Sequence, residues 1–72
     1  DGSENVRADI RGAVDRLREH PFSGRKQDEE NVRRVVSPDY RYAIYYHVDL
    51  EADLITVLAI MHPAREQPFR SV

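Results

Sequence analysis

Arginine, tyrosine and histidine carry what chemistry this 72-residue chain offers, because it contains no Cys and no Trp. Without Cys there is no thiolate nucleophile, no disulfide framework and no Cys-based zinc site. His62 ends an apolar run, where an imidazole can act as a general acid or base near neutral pH. The bland alternative is a strand-end His that packs on Tyr45 or bonds a carbonyl. Ten of the eleven basic residues are Arg, and a guanidinium recognises carboxylate or phosphate through a planar fork. Arg33 and Arg34 are consecutive in a β-prone segment, so they point to opposite sheet faces. Arg41 alternates with Ala43, Tyr45 and His47 on one face of the next segment. Tyr42 and Tyr46 share the other face with Ile44 and Val48 and belong to a core. Tyr45 alone is placed to stack on a base. His20, His47 and His62 do not have metal-ligand spacing, and there is no Gly-rich phosphate loop or nucleophile elbow. Neither a metal nor a cofactor is expected.

The elements that must hold these residues follow from periodicity. Val6, Ile10, Ala13, Val14 and Leu17 fall on one side of a helix, with Ser3 as its N-cap and Glu4 in its first turn. Pro21 ends the helix, since it lacks an amide and disfavours helical geometry at His20. Phe22 is expected to fold back under the helix as an apolar plug, and Gly24 to supply a positive φ. Arg25 to Glu30 is a charged run of the kind that usually forms a wet loop. Asn31 to Val36 predicts a first strand with imperfect alternation, and Ser37-Pro38-Asp39 a turn. A second strand runs from Tyr40 to Val48 and a third from Leu54 to Met61. The third is apolar at nearly every position, a pattern that predicts a central strand covered on both faces. Short links between the three make an antiparallel meander with the helix packed on one face, an α+β fold.

One helix cannot cover both faces of such a sheet, so either a partner or further chain is required. A core this small is marginal and has no covalent support. Charge does not point to nucleic acid. Basic residues number 11 against 13 acidic, whereas proteins that track a phosphate backbone show a basic excess. No apolar run approaches the ~20 residues of a membrane span, and no signal peptide is evident.

Taken in order, these parts resemble a known family. Arg16-Leu17-Arg18-Glu19-His20-Pro21 leading to Ser23-Gly24-Arg25, then Val32-Arg33, then Tyr42 to Val48, then Ile55 to His62 is similar to the RelE/ParE superfamily, the toxin halves of bacterial type II toxin–antitoxin modules. The similarity spans roughly residues 3–66 and is closer to the ParE-like plasmid-stabilisation branch. Members of that family usually begin with a strand and a first helix, so the resemblance implies that those two elements are absent here. Residues 1–72 would then be a single, N-terminally incomplete RelE/ParE-like toxin domain, one expected to have low activity by itself.

The resemblance implies a cytoplasmic growth inhibitor neutralised by a cognate antitoxin, alone or in a homo-oligomer or toxin–antitoxin hetero-oligomer. ParE-like members inhibit DNA gyrase without established catalytic residues. RelE-like members are ribosome-dependent mRNA endoribonucleases that use clustered Lys, Arg, Tyr or His side chains. The nuclease alternative would draw on Arg33, Arg41, His62 and Arg65. Target or antitoxin binding would draw on Arg33, Tyr45 and Arg65. In the nucleases an Arg follows the Tyr that opens the corresponding strand. Here Ala43 follows Tyr42, and Arg41 lies two residues earlier on the same face. That departure favours a non-enzymatic gyrase inhibitor. A third alternative is an inactive member that only binds an antitoxin.

Overall fold

The structure, a computed structural model, describes residues 2–29 and 31–67. Helix α1 spans Gly2–Glu19 and is followed by strands β1 (Arg25–Lys26), β2 (Val32–Val36), β3 (Ala43–Asp49) and β4 (Leu54–Met61). A 3-10 turn, η1, covers Pro63–Arg65. The strands form one antiparallel sheet in the order β1-β2-β3-β4. The α+β architecture matches expectation, with a helix already running at Ser3 rather than capped by it.

Two differences have clear causes. The sheet has four strands because Arg25 and Lys26, expected in a loop, pair with Arg34 and Arg33. The left-handed Asn31 (φ 65°) turns the chain between β1 and β2, and the Gln27 amide bonds the Val32 carbonyl at 3.0 Å. The second difference is larger. Leu54–Met61 is an edge strand, not a central one, and Leu54, Val57, Leu58 and Ile60 are exposed. The central, buried strand is β3, where Ala43, Ile44, Tyr45 and Tyr46 are each at most 2% accessible. Hydrophobic content could not separate the two because β4 is apolar without being covered.

The register of β3 against β4 shifts between Tyr45, opposite Ala59, and Tyr46, opposite Val57. Leu58 is therefore the extra residue of a bulge, which re-phases the alternation and leaves apolar side chains on both faces of the edge. Directly paired residues share a face. Ile44, Tyr46 and Val48 thus lie with Ile60, Val57 and Ile55 on the helix side, and Ala43 and Tyr45 lie with Met61 and Ala59 on the other. That second face holds a small cluster of Val32, Ala43 and Tyr45 with Ala59 and Met61 against it.

On α1 the fully buried line is Asp9, Ala13 and Leu17, while Val6, Ile10 and Val14 are half-buried. The helix stops at Glu19 as Pro21 requires, and the Ser23 amide bonds the His20 carbonyl at 3.1 Å. Gly24 does not have a positive φ. It is needed because an added Cβ would lie 2.8 Å from Tyr46 Cε1 and 2.9 Å from the Arg34 carbonyl oxygen. Phe22 is not a plug; it is half exposed.

Candidate functional site

Three surfaces carry the residues of interest. The first is the turn after α1. Arg33 stands on the helix-side face opposite Tyr46, and its guanidinium reaches across β1. It lies 5.0 Å from the centroid of the Phe22 ring and donates to the Gly24 carbonyl at 2.9 Å and the Phe22 carbonyl at 3.3 Å. A cation over a ring face with its N–H groups on carbonyls is a clamp on the His20–Gly24 turn. In these contacts the Arg33 cation meets no carboxylate.

The second is the end of the sheet near Tyr42. Arg41 lies outside β3 in a left-handed conformation (φ 63°) and is exposed. The strand begins only at Ala43, because the Ser37–Tyr42 turn closes on itself. Ser37 exchanges backbone hydrogen bonds with Tyr42 (3.0 Å) and Arg41 (3.1 Å), and its Oγ accepts the Tyr42 amide at 2.9 Å. Arg41 therefore does not share a strand face with Tyr45. The same turn is held from the helix by Asp9, whose carboxylate accepts the amides of Asp39 (3.1 Å) and Tyr40 (2.8 Å). Burial pushes the Asp9 carboxyl up, but bonds from Tyr40, Ser37 and Asp39 and the Arg16 charge outweigh it and hold it below its ordinary value.

His62 is exposed at the end of β4. Its Nδ1 accepts the Ala64 amide at 3.0 Å, which caps η1. Its ring meets Tyr42, not Tyr45, edge-on at 5.2 Å. Arg65, in η1, is also exposed and bonds the His62 carbonyl through its backbone amide at 2.9 Å. Among the described residues no side-chain hydrogen bond or ion pair joins Arg33, Arg41, His62 and Arg65 to one another.

The third surface is on the face away from the helix. Arg34 on β2 lies directly opposite Tyr45 on β3. Both reach Glu66, just past η1. Arg34 grips the carboxylate with Nε on Oε2 and Nη2 on Oε1, the latter at 2.6 Å, and Tyr45 donates its hydroxyl to Oε2 at 2.5 Å. The hydrogen bonds of Arg34, opposed by burial and aided by Tyr45, hold the Glu66 carboxyl below its ordinary range. Burial, then Glu66, pushes the Tyr45 phenol up, so it remains a donor through neutral pH. Tyr45 is only 2% accessible, so it offers no stacking face.

Between α1 and β4 the molecule is open. One cleft of about 680 Å³ lies between Ala8 and Ile10 of the helix and Ile60, with Glu4, Arg7 and Arg11 on its rim. A second, of about 430 Å³, is lined by Val14, Arg18 and Pro21 on one side and by Val48, Leu50, Leu54 and Ile55 on the other. Both follow the half-buried flank of α1 and the outer edge of β4, which pairs with no strand among the described residues. Among the described residues no helix is long and apolar enough to cross a membrane, and no group of His, Asp and Glu is disposed to hold a metal ion.

Comparison with known families decides whose fold this is. The model of the ParE toxin of the type II toxin–antitoxin system parDE matches residues 2–67. The chain belongs to the ParE toxin family. It is 35% identical over 68 residues to a protein of Sinorhizobium fredii (strain NBRC 101917 / NGR234) named "Putative toxin Y4kP", a match that covers 94% of this chain and 68% of that relative. No solved structure matches it. As a ParE-family toxin it is one half of a type II module, and a cognate antitoxin is its expected counterpart.

Of the surfaces described, Arg33, Arg41, His62 and Arg65 were all legible as candidates. The Arg34–Glu66 pair was missed. Strand alternation does put Arg34 on Tyr45's face, but Glu66 lies 32 positions away beyond Pro63, and no local pattern links the two.

Proposed function

We propose that this ParE-family toxin inhibits growth by binding DNA gyrase in the cytoplasm, and that its antitoxin neutralises it by seating an apolar segment in the α1–β4 clefts. The observation that carries the antitoxin half is the open edge of β4. Among the described residues no strand pairs with the outer edge of β4, and its exposed Leu54, Val57, Leu58 and Ile60 invite strand addition or a docked amphipathic helix. Arg7, Arg11 and Arg18 stand along the helix side of the same clefts. Glu4 and Asp53 line the same clefts, so the complementary occupant is an apolar segment flanked by charges of both signs.

Binding rather than RNA cleavage is supported by how the nuclease candidates are used. General acid–base chemistry on a ribose hydroxyl needs convergent groups within hydrogen-bond reach of one substrate. Arg33 instead clamps the turn after α1, Arg41 lies in a left-handed turn, and His62 Nδ1 caps η1. Balanced charge agrees with a protein target. Arg65, exposed beside β4, is the arginine we assign to target or antitoxin contact.

Two assays divide the alternatives. Purified gyrase should lose supercoiling activity on adding the toxin, and primer extension on translated mRNA in toxin-producing cells should show no new ends. Cleavage within codons that disappears with Arg41→Ala would replace the gyrase reading with a nuclease. Normal growth on induction of the intact gene would leave a member that only binds antitoxin.

A further inference from the structure

The sheet treats its two edges differently. At one edge β1 has two residues, Arg25 and Lys26, both charged and exposed. A short, charged strand is how a sheet blunts an edge against further pairing. At the other edge β4 has eight residues, and Leu54 to Met61 include no charge and no Pro. Leu54, Val57, Leu58 and Ile60 are exposed along it, and among the described residues no strand pairs with its outer side.

The charges beside the open edge are sorted by end. α1 runs against β4, so its early residues meet Ile60 and its late ones meet Leu54. Arg7 and Arg11, with Glu4, rim the cleft at the Ile60 end. At the Leu54 end the β3–β4 turn carries Asp49, Glu51 and Asp53, with Arg18 across the second cleft. Base exceeds acid at one end of the strand and acid exceeds base at the other. Turned end for end, the edge is its own complement.

We propose that a second copy of this chain occupies the edge, with β4 paired antiparallel to β4 of its partner in a closed two-fold dimer of the antitoxin-free toxin. Antiparallel neighbours in a sheet are related by a two-fold axis perpendicular to it, which suits an interface made of one patch used twice. An axis near Val57 and Leu58 sets the Leu54 end of one protomer against the Met61 end of the other and keeps both helices on one side. Arg7 and Arg11 then approach the partner's Glu51 and Asp53, and Glu4 approaches the partner's Arg18. Ile55, Val57 and Ile60 of both copies share the apolar floor between the helices. Parallel pairing would bring like ends together and is opposed by repulsion. Since β1 is blunted, each copy has one edge to offer, and assembly stops at two.

The dimer does not rest on the antitoxin reading. An antitoxin that docks on β4 has to split it, and a dimer that fails to form leaves antitoxin docking untouched.

Sedimentation equilibrium on the purified toxin without antitoxin is the test. Wild type should show monomer and dimer with no larger species, and Leu58→Lys, which places a charge in the edge, should be monomeric. Arg7→Glu with Arg11→Glu reverses the basic end. Glu51→Lys with Asp53→Asn reverses the acidic end, and Asn suits the left-handed position of Asp53 (φ 53°). All four side chains are exposed, so the fold should survive. Each double variant alone should dimerise about tenfold more weakly than wild type. Mixed, the two should pair as tightly as wild type, because every meeting of ends in the mixed dimer joins opposite charges. A wild type still monomeric at about 1 mM, where even weak pairing shows, would overturn the proposal. A dimer that persists in Leu58→Lys, charge variants that do not rescue each other, or species that keep growing with concentration would overturn it too. Should a charge variant fail to fold, wild type against Leu58→Lys decides.

Discussion

The Tyr46 hydroxyl accepts the Gly24 amide at 2.9 Å and donates to the Pro21 carbonyl at 2.8 Å, tying the turn that ends the helix to the most buried strand. Tyr46 is fully buried, and Gly24 lies so close that it has no room for a side chain. The phenol thus replaces water for two backbone groups that a Pro-terminated helix leaves without partners. Gly24→Ala should destabilise the domain by about 1–3 kcal/mol through overpacking. Tyr46→Phe should cost about 1–3 kcal/mol by leaving those two groups unpaired. Because both substitutions act on one contact, the double variant should cost less than the sum, which urea melts of the four proteins would test.

Arg33 is the second fastening on that turn, and its role can be separated from catalysis. Arg33→Lys loses the Nη1 bonds to the Gly24 and Phe22 carbonyls and much of the contact with the Phe22 ring, and should cost about 1 kcal/mol. Toxicity should then fall in step with thermal stability. A loss of toxicity with an unchanged melting temperature would assign Arg33 to the target.

Acid should unfold the protein through two carboxylates. Glu66 is held below its ordinary 4.5 chiefly by Arg34, and Asp9 below 3.8 by Tyr40, Ser37, Asp39 and Arg16 despite its burial. A depressed folded-state pKa means that the stabilisation is complete above the unfolded value and disappears as pH falls through the folded one. The melting temperature should therefore decline from about pH 4.5 downward. Glu66→Gln should flatten the upper part of that decline and Asp9→Asn the lower part. At the alkaline end the raised Tyr45 phenol gives the opposite sign, with stabilisation intact below its ordinary 10 and lost above it.

Gly12 has no atom within 4 Å of where a Cβ would stand. It packs against nothing and only weakens α1. Gly12→Ala should stabilise the domain by about 0.5–1 kcal/mol, as a rise in the urea midpoint at constant slope.

The edge strand offers a test that does not disturb the core. Leu58 occupies the bulge and is 40% accessible, so Leu58→Lys should leave stability within about 0.5 kcal/mol of wild type. Antitoxin at a hundred times its dissociation constant should stabilise the wild-type toxin by about 2.7 kcal/mol. The Lys variant should lose most of that gain in a thermal titration. An equal shift in both proteins would move the docking site elsewhere.

The local order of parts was already present in the linear chain. The apolar stripe of α1, the Pro21 stop, the alternation of β3 and the apolar run of β4 are short-range patterns, because side-chain direction repeats every 3.6 or every 2 residues. That order also carried the family resemblance. The interior of the sheet was another matter. Leu54–Met61 is more apolar than Ala43–Asp49, yet it lies at the edge, because burial depends on which strands flank a segment rather than on its own composition. Arg41 left its expected strand because Ser37 and Asp9 close the preceding turn. Asp9 and Glu66 are fastenings that no local pattern marks, because their partners arrive from 30 or more positions away. Sequence periodicity determined what each segment would be. Only the closing of the sheet under the helix decided which charges would meet, since such meetings depend on strand register and not on spacing along the chain.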